Sequence, residues 1–209
     1  MNPPPLAALF ERLPALQACR DDLLTAFEVL RDGFASGGKL LLCGNGGSGA
    51  DAEHWAGELL KGFVTKRPLR EPLRSQLGEP LAAQLQGGLP AIPLTGFVGL
   101  RSAWLNDCEP DYLYAQLVLA LGRPGDVLVG ISTSGNAKNV GHALETANRL
   151  GLKTIALTGE SGGRAATVAQ HAIKVPAREV HLIQELHLPV YHTLCLLLEA
   201  AFFGEGGEE

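Results

Sequence analysis

The sequence lacks several features that mark large classes of protein. Its 17 Lys and Arg residues are outnumbered by 22 Asp and Glu residues, which gives a net charge of −5. This balance argues against a nucleic-acid-binding protein, because such proteins neutralise phosphates with an excess of positive side chains. No run of 18 consecutive apolar residues occurs, so we expect no membrane span and no membrane partner. Residues 1–16 also lack the charged start and the long apolar stretch of a signal peptide.

Cysteine is scarce as well, and no two cysteines form a C-x-x-C pair. The four are Cys19, Cys43, Cys108 and Cys195. They are far apart and have apolar sequence neighbours, which is typical of core thiols in a reducing compartment. We therefore expect a cytoplasmic protein.

The composition is typical of one globular domain. Apolar residues make up 46% and charged residues 19%, which is enough to bury a core and too apolar for disorder. The length predicts a single domain over residues 1–209. Residues 1–36 carry apolar positions at helical spacing, and Pro14 is expected to divide them into two helices of an N-terminal helical hairpin. We expect this hairpin to be appended to the core and to pack against a partner subunit.

Residues 39–203 alternate short apolar runs with helical patterns. Such alternation predicts an α/β core, with a mostly parallel sheet and helices on both of its faces. The expected strands are at 39–43, 91–94, 127–131, 154–157 and 172–175. The expected helices are at 50–63, 98–121, 137–150 and 181–203, with a short one after 158–163. Residues 64–89 are irregular, with room for a short helix at 80–85.

A glycine-rich loop, residues 44–49, joins the first predicted strand to a helix. It fits the G-x-G-x-x-G pattern of dinucleotide sites, but no acidic residue closes a second strand about 20 residues further on. Asn45 and Ser48 instead suit sugar hydroxyls or a phosphate. We favour a loop that lies against a polar ligand and expect no nucleotide; a purely structural glycine turn is the alternative.

A second polar loop, Ser132–Asn136, lies between a strand and a helix. The start of a helix offers free backbone N–H groups and a positive dipole end, and three hydroxyls here add further donors. Simple N-capping is the alternative, but three consecutive hydroxyls exceed what a cap needs. We therefore predict a phosphate site.

Histidines and a glutamate form a third group of candidates. His54 and Glu58 share a helix face at i, i+4, which suits a metal ion, a base beside a positive partner, or an exposed ion pair. The last predicted helix carries Gln184, His187 and His192. Because ligands bind at the carboxyl ends of parallel strands, we expect these residues to converge with the two loops there. The pair Asn106 and Asp107 could join them.

In this order and spacing, the motifs resemble the sugar isomerase (SIS) domain, and within it the sedoheptulose-7-phosphate isomerases, or phosphoheptose isomerases. The resemblance covers nearly the whole chain. It rests on Cys43–Ser48, Asp51–Leu59, Gly130–Asn136, Leu157–Gly159 and Ile183–His187, followed by His192.

The resemblance implies a three-layer α/β/α sandwich and a homotetramer with active sites at subunit interfaces. It implies conversion of sedoheptulose 7-phosphate to D-glycero-D-manno-heptose 7-phosphate, a precursor of heptose-containing glycans, through an enediol. Matching the family residue by residue implies substrate contacts from Asn45, Gly46, Gly47, Ser48, Asn106, Asp107, Ser132, Thr133, Ser134 and Gln184. It also implies one zinc ion per subunit on His54, Glu58, Gln184 and His192, with Glu58 as the catalytic base and His192 as the acid.

The sequence departs from the family at several positions. Ala137 replaces a phosphate-binding Ser, Lys61–Phe63 replaces a Gly-Arg-aromatic triplet, and His181 replaces an Asp. The segment 64–89 is also longer than usual. An isomerase of another phosphosugar, or a non-catalytic SIS sensor or adaptor, therefore stays open. Gln184 and His192 are eight residues apart, about 12 Å along a helix, so one ion reaches both only if the side chains lean together or different subunits supply them.

Overall fold

The computed structural model describes residues 3–204, so the outer limits of the expected domain, at 1 and 209, lie outside the described residues. Five parallel strands form one sheet in the order β2-β1-β3-β4-β5. They are β1 (Leu40–Gly44), β2 (Ala91–Pro93), β3 (Val127–Ser132), β4 (Lys153–Thr158) and β5 (His171–Lys174). The strand order reverses between β1 and β3, and such a switch point is where open α/β sheets bind ligands.

Helices cover both faces of this sheet. They are α1 (Pro4–Arg12), α2 (Arg20–Ala35), α3 (Gly47–Leu60), α4 (Leu73–Leu77), α5 (Leu81–Gln84), α6 (Val98–Asp107), α7 (Leu113–Leu121), α8 (Lys138–Arg149), α9 (Gly163–Val168) and α10 (Val180–Phe203). Alternate strand residues feed two cores: Leu40 and Leu42 pack under α2, α3 and α10, whereas Leu41 and Cys43 pack under α7 and α8. The three-layer α/β/α sandwich is thereby confirmed.

The N-terminal helices are present, with the break at Pro14 where the sequence predicts it. α1 ends at Arg12, and a 3₁₀ turn begins at Pro14. However, α2 is a layer of the core, because Leu23, Ala26 and Leu30 are fully buried and the helix packs on β5 and α10. The expectation that this segment is an appendage is therefore wrong.

Two other boundaries differ from the sequence prediction. The helix after the glycine loop begins at Gly47 and ends at Leu60, rather than running from 50 to 63. In the 64–89 segment, α5 matches the short helix expected at 80–85, but α4 was not predicted. α4 is only five residues long and none of them is buried, so it is too short to show a repeating apolar pattern in the sequence.

A buried ion pair anchors the start of the 64–89 segment. Arg67, fully buried, donates from Nε to Oε1 of Glu199 on α10 at 2.8 Å and from Nη1 to the Leu59 carbonyl at 2.8 Å. The Glu199 carboxylate also accepts the backbone N–H groups of residues 63, 64 and 65. Burial raises the pKa of Glu199, but the backbone donors and Arg67 together bring it below its ordinary value. This clamp, formed by Arg67 and Glu199 with the backbone groups they bind, fixes the end of α3 against α10.

Helix α10 is long and apolar enough, by length and composition alone, to cross a membrane. Half of its most apolar stretch is buried inside the fold, where it packs on α2, α3 and α1. Core helices pass the same test. In this molecule α10 is a central helix that carries Gln184, His187, His192 and Glu199.

Candidate active site

The two predicted loops meet at the switch point of the sheet. The amides of Asn45 and Asn139 exchange two hydrogen bonds of 2.9 Å across the gap. The Tyr114 hydroxyl donates to the Gly44 carbonyl at 2.5 Å, which supports the first loop from below. Between the loops lies a cavity of about 280 Å³, lined by Asn45, Ser48, Ile131, Ser132, Thr133, Ser134, Asn136 and Ala137. The structure therefore brings the first loop and the predicted phosphate loop together.

The second loop has the geometry of an anion cradle. It precedes α8, a helix of 12 residues, and the Asn136 N–H donates to Ser134 Oγ at 3.2 Å. Gly135 has a φ of +68°, and a Cβ there would collide with the Gly162 carbonyl. Only glycine fits this turn. The helix start and the hydroxyls together present donors to one bound anion.

Gln184 links the first loop to α10. The Gln184 amide lies so close to Gly47 that a Cβ there would push it aside. Gln184 also lines a cavity of about 580 Å³ with Asp51, His54 and His181. The expected contact between the first loop and the last helix is thereby present at Gln184, and His181 lies in the same cavity. His187, which was expected to join them, is buried and lines neither this cavity nor the one between the loops.

His54, Glu58 and His192 form a compact cluster between α3 and α10. One potential ligand atom from each lies within 4.8 Å of the others. His54 Nε2 is 3.0 Å from Glu58 Oε1, and Lys61 Nζ is 3.6 Å from Glu58 Oε2. The side chain of Glu58 is only 17% exposed, so its carboxylate is largely shielded from bulk water.

The donor set of this cluster fits a zinc ion. Two imidazoles and a carboxylate are ordinary zinc ligands. Nε2 of His192 is buried and has no hydrogen-bond partner within residues 3–204, which leaves a lone pair or proton unsatisfied. Burial, and next the neighbouring His54, lower the pKa of His192, and the Glu58 carboxylate acts in the opposite direction.

Two further residues join the cluster that the sequence did not assign to it. The Tyr191 hydroxyl is 2.9 Å from His54 Nδ1 and 3.4 Å from Asp51 Oδ1. Burial raises the pKa of Asp51, partly offset by the Tyr191 hydrogen bond and by the neighbouring His54 ring. Tyr191 directly precedes His192 in sequence, and this adjacency was the only sequence signal for it.

The pair Asn106 and Asp107 does not join the loops in the described chain. Both side chains are exposed at the end of α6, and the Asn106 amide donates to the Asp107 carboxylate at 2.7 Å. Neither lines the cavity between the loops. Their substrate contact stays a prediction.

On its other side, the phosphate loop borders a cavity of about 440 Å³ that the sequence did not indicate. Arg178 and Glu160 line it beside Thr133 and Ser134. The Arg178 guanidinium donates to the Glu160 carboxylate at 2.7 Å, and that contact lowers the pKa of Glu160. The wall of this cavity thus carries the Arg178 guanidinium, paired with the Glu160 carboxylate, close to the predicted phosphate loop.

Comparison with known proteins gives consistent matches. A model of the SIS domain matches residues 87–159. The chain is 42% identical to a phosphoheptose isomerase of Desulfovibrio desulfuricans over 81% of this chain and 72% of that protein. It is 34% identical to one of Akkermansia muciniphila over 95% of each chain. The structure resembles that of a phosphoheptose isomerase from Neisseria gonorrhoeae with a TM-score of 0.74, at 33% identity, over 93% of this chain and 96% of that one.

Proposed function

The chain belongs to the phosphoheptose isomerase family of SIS-domain proteins, and from that premise we propose that it interconverts sedoheptulose 7-phosphate and D-glycero-D-manno-heptose 7-phosphate. The observation that carries the proposal is the presence in one fold of a polar loop before a helix, at Ser132–Ser134, and of a carboxylate–imidazole pair, Glu58 and His192. A phosphosugar isomerase needs both: one group to hold the phosphate and another to move a proton. The Gln184 amide against Gly47 connects the helix of His192 to the first loop.

The phosphate is assigned to the second loop. Ser132, Thr133 and Ser134 offer hydroxyl donors, and the start of α8 adds backbone N–H groups. Holding the phosphate end fixes the sugar chain, so that C1 and C2 reach the helix cluster in one orientation. Asn45 and Ser48 on the first loop face the same cavity and suit the sugar hydroxyls.

The proton transfer is assigned to the helix cluster. Glu58 removes the proton from C1 or C2, and His192 delivers a proton to the carbonyl oxygen, so that an enediol forms. Glu58 then returns its proton to the neighbouring carbon, and His192 takes one back from the other oxygen. Both groups regain their starting state, and no proton is consumed.

A zinc ion fits this cluster. His54, Glu58 and His192 would hold it, with Gln184 as the fourth ligand, and it would polarise the two reacting oxygens. Because one carboxylate cannot be a ligand and a free base at once, the ion would be structural or transient, or Glu58 would exchange between the ion and the substrate. Gln184 and His192 are separated by about two turns of α10, a distance of about 12 Å. The fourth ligand would therefore come from a leaning Gln184 or from Gln184 of another subunit.

We also propose that the whole chain, 1–209, is a single SIS domain that assembles as a homotetramer in the cytoplasm. Large apolar side chains with more than half of their surface exposed support self-association, namely Leu60, Val64, Leu81, Val98, Leu105, Leu119 and Val180. Analytical ultracentrifugation of the pure protein tests the assembly.

The reaction is tested by incubating the pure protein with sedoheptulose 7-phosphate and following the product by NMR. Parallel samples contain added zinc, a chelator, unphosphorylated sedoheptulose, or other ketose phosphates. We expect turnover of the phosphorylated heptose alone and an increase with zinc. Turnover of a different phosphosugar would reassign the substrate, and no turnover by folded, assembled protein would favour a sensor or adaptor.

A further inference from the structure

Tyr191 occupies an unusual position for a tyrosine in a helix core. It is fully buried, and its ring stacks on Trp55 with centroids 5.5 Å apart and planes inclined by 15°. Its hydroxyl nevertheless reaches two polar side chains of α3, namely Nδ1 of His54 at 2.9 Å and Oδ1 of Asp51 at 3.4 Å. The stack fixes the ring, so the hydroxyl has one position to act from.

Counting protons defines what this hydroxyl does to His54. A tyrosine hydroxyl has one proton, and either the Asp51 carboxylate at 3.4 Å or Nδ1 of His54 at 2.9 Å can accept it. When Asp51 accepts it, the hydroxyl can only accept from His54, and the proton of the neutral imidazole is then on Nδ1. The other ring nitrogen, Nε2, is left with a lone pair.

In that state Nε2 turns its lone pair to the Glu58 carboxylate, whose Oε1 is 3.0 Å away. Without a metal ion, Nε2–H can donate to Oε1 instead, whereas a bound cation requires the Nδ1–H tautomer. Buried Nε2 of His192, which has no partner in the described part of the chain, is in the same cluster. The arrangement therefore favours a bound cation at the point where the three side chains meet.

We propose that Tyr191, oriented by Asp51, is a positioning residue that selects the Nδ1–H tautomer of His54 and so makes Nε2 a metal ligand. The inference rests on the proposed function only in taking this cluster as its metal site. Histidine ligands commonly donate their second ring N–H to a carboxylate or carbonyl that fixes the ring. Here a tyrosine hydroxyl is the acceptor, and it donates its own proton to the Asp51 carboxylate.

Zinc affinity tests the inference without any turnover. Metal-free full-length protein is titrated with zinc in competition with a chromophoric chelator, for the wild type, Tyr191→Phe and Tyr114→Phe. Tyr114 is the matched control, because it is also buried and loses a hydroxyl bonded to a backbone carbonyl, that of Gly44. We expect the affinity of Tyr191→Phe to fall by about 10- to 100-fold, as for other outer partners of ligand histidines, and that of Tyr114→Phe to stay at the wild-type value.

A second variant and a spectroscopic measurement cover the case in which Tyr191→Phe folds poorly. Asp51→Asn keeps the tyrosine and the side-chain size but weakens the acceptor, so we expect a smaller loss of zinc affinity in the same direction. The ring ¹⁵N shifts of His54 in zinc-loaded protein should report zinc on Nε2 and a proton on Nδ1 in the wild type. Zinc on Nδ1 there, or wild-type zinc affinity in folded Tyr191→Phe, would overturn the inference.

The outcomes separate this inference from the proposed reaction. Loss of zinc affinity in Tyr191→Phe, together with no turnover of sedoheptulose 7-phosphate by the wild type, would keep the inference and reject the reaction. Turnover by the wild type, together with unchanged zinc affinity in Tyr191→Phe, would keep the reaction and reject the inference.

Discussion

The two halves of the candidate site are built in different ways. The loop half, residues 44–49 and 132–136, stands at the ends of β1 and β3, and the chain positions it through backbone turns and short-range hydrogen bonds. The helix half, between α3 and α10, is positioned by side-chain packing: His54 lies 5.0 Å from His192 between ring centroids, and Phe63 lies 5.1 Å from His192.

This difference assigns different work to each half. In the proposed reaction, the hydroxyls and N–H groups of the loop half bind the phosphate in the ground state. The shielded groups of the helix half move the protons, and shielding strengthens their electrostatic effect. We therefore expect changes in the loops to alter KM, and changes in the helices to alter kcat or stability.

Breaking the clamp that fixes the helix half should have the largest effect on stability. In Glu199→Gln the buried Arg67 guanidinium loses its counter-charge, so the free energy of unfolding should fall by about 3–5 kcal/mol. Urea denaturation measures it. The control Glu79→Gln breaks the exposed pair with Arg74 and should cost about 0–1 kcal/mol; equal losses in the two variants would refute the clamp.

The helix half should also be sensitive to acid through His187. Burial lowers the pKa of His187 to about 4, and the backbone of Thr158, near the ring without completing a hydrogen bond, acts in the opposite direction. Between pH 6.5 and 4, this histidine is protonated in the unfolded chain but neutral in the native protein. The free energy of unfolding therefore decreases as the pH is lowered, by about 3 kcal/mol in all from this group. Urea denaturation at pH 7.5 and 4.5 should show a smaller difference for His187→Gln than for the wild type. An unchanged difference would contradict the assignment.

Removing one hydroxyl from the loop half should weaken substrate binding. Ser134→Ala deletes a proposed donor to the phosphate, and hydrogen bonds to charged groups contribute about 1.5–3 kcal/mol, or about 10- to 100-fold in KM. Steady-state kinetics should show kcat nearly unchanged. Ser36→Ala is the control, because its hydroxyl bonds the Gly33 carbonyl far from the loops. A decrease in kcat with unchanged KM would contradict the assignment of phosphate binding to the loop half and of proton transfer to the helix half.

Adding a hydroxyl to the loop half should have the smallest effect, in the opposite direction. Ala137 is the N-cap of α8, makes no side-chain cap bond and lines the cavity between the loops. Ala137→Ser should raise the free energy of unfolding by about 0.5–2 kcal/mol through capping. It should also lower KM, by a margin that steady-state kinetics can measure. A raised KM would show that the phosphate lies elsewhere.

The contrast also explains which parts of the site the sequence could predict. The loop half follows from local pattern: a strand, a polar or glycine-rich turn and a helix are readable in order. The sequence also placed His54 and Glu58 on one helix face, since i, i+4 spacing is local. These interpretations depend on few neighbours in space, and the structure confirms the elements that carry them.

The rest depends on contacts between distant parts of the chain. Glu199 and Arg67 are 132 residues apart and Tyr191 and His54 are 137 apart, so no local pattern connects them. The place of α2 in the core was missed for the same reason, because an amphipathic helix does not show which surface it covers. Asn106 and Asp107 were assigned from their place after a predicted strand and helix and from the resemblance, and the described chain leaves them exposed.

The most direct test of the account is the rate of proton transfer by Glu58→Gln in deuterated water. The wild type should place solvent deuterium on the carbon that receives the proton, as NMR of the product would show. Glu58→Gln should slow the reaction by about 10²- to 10⁴-fold with KM nearly unchanged, and Glu28→Gln, an exposed glutamate of α2, should behave as the wild type. Wild-type kcat in folded Glu58→Gln would contradict the assignment of the chemistry to the helix half.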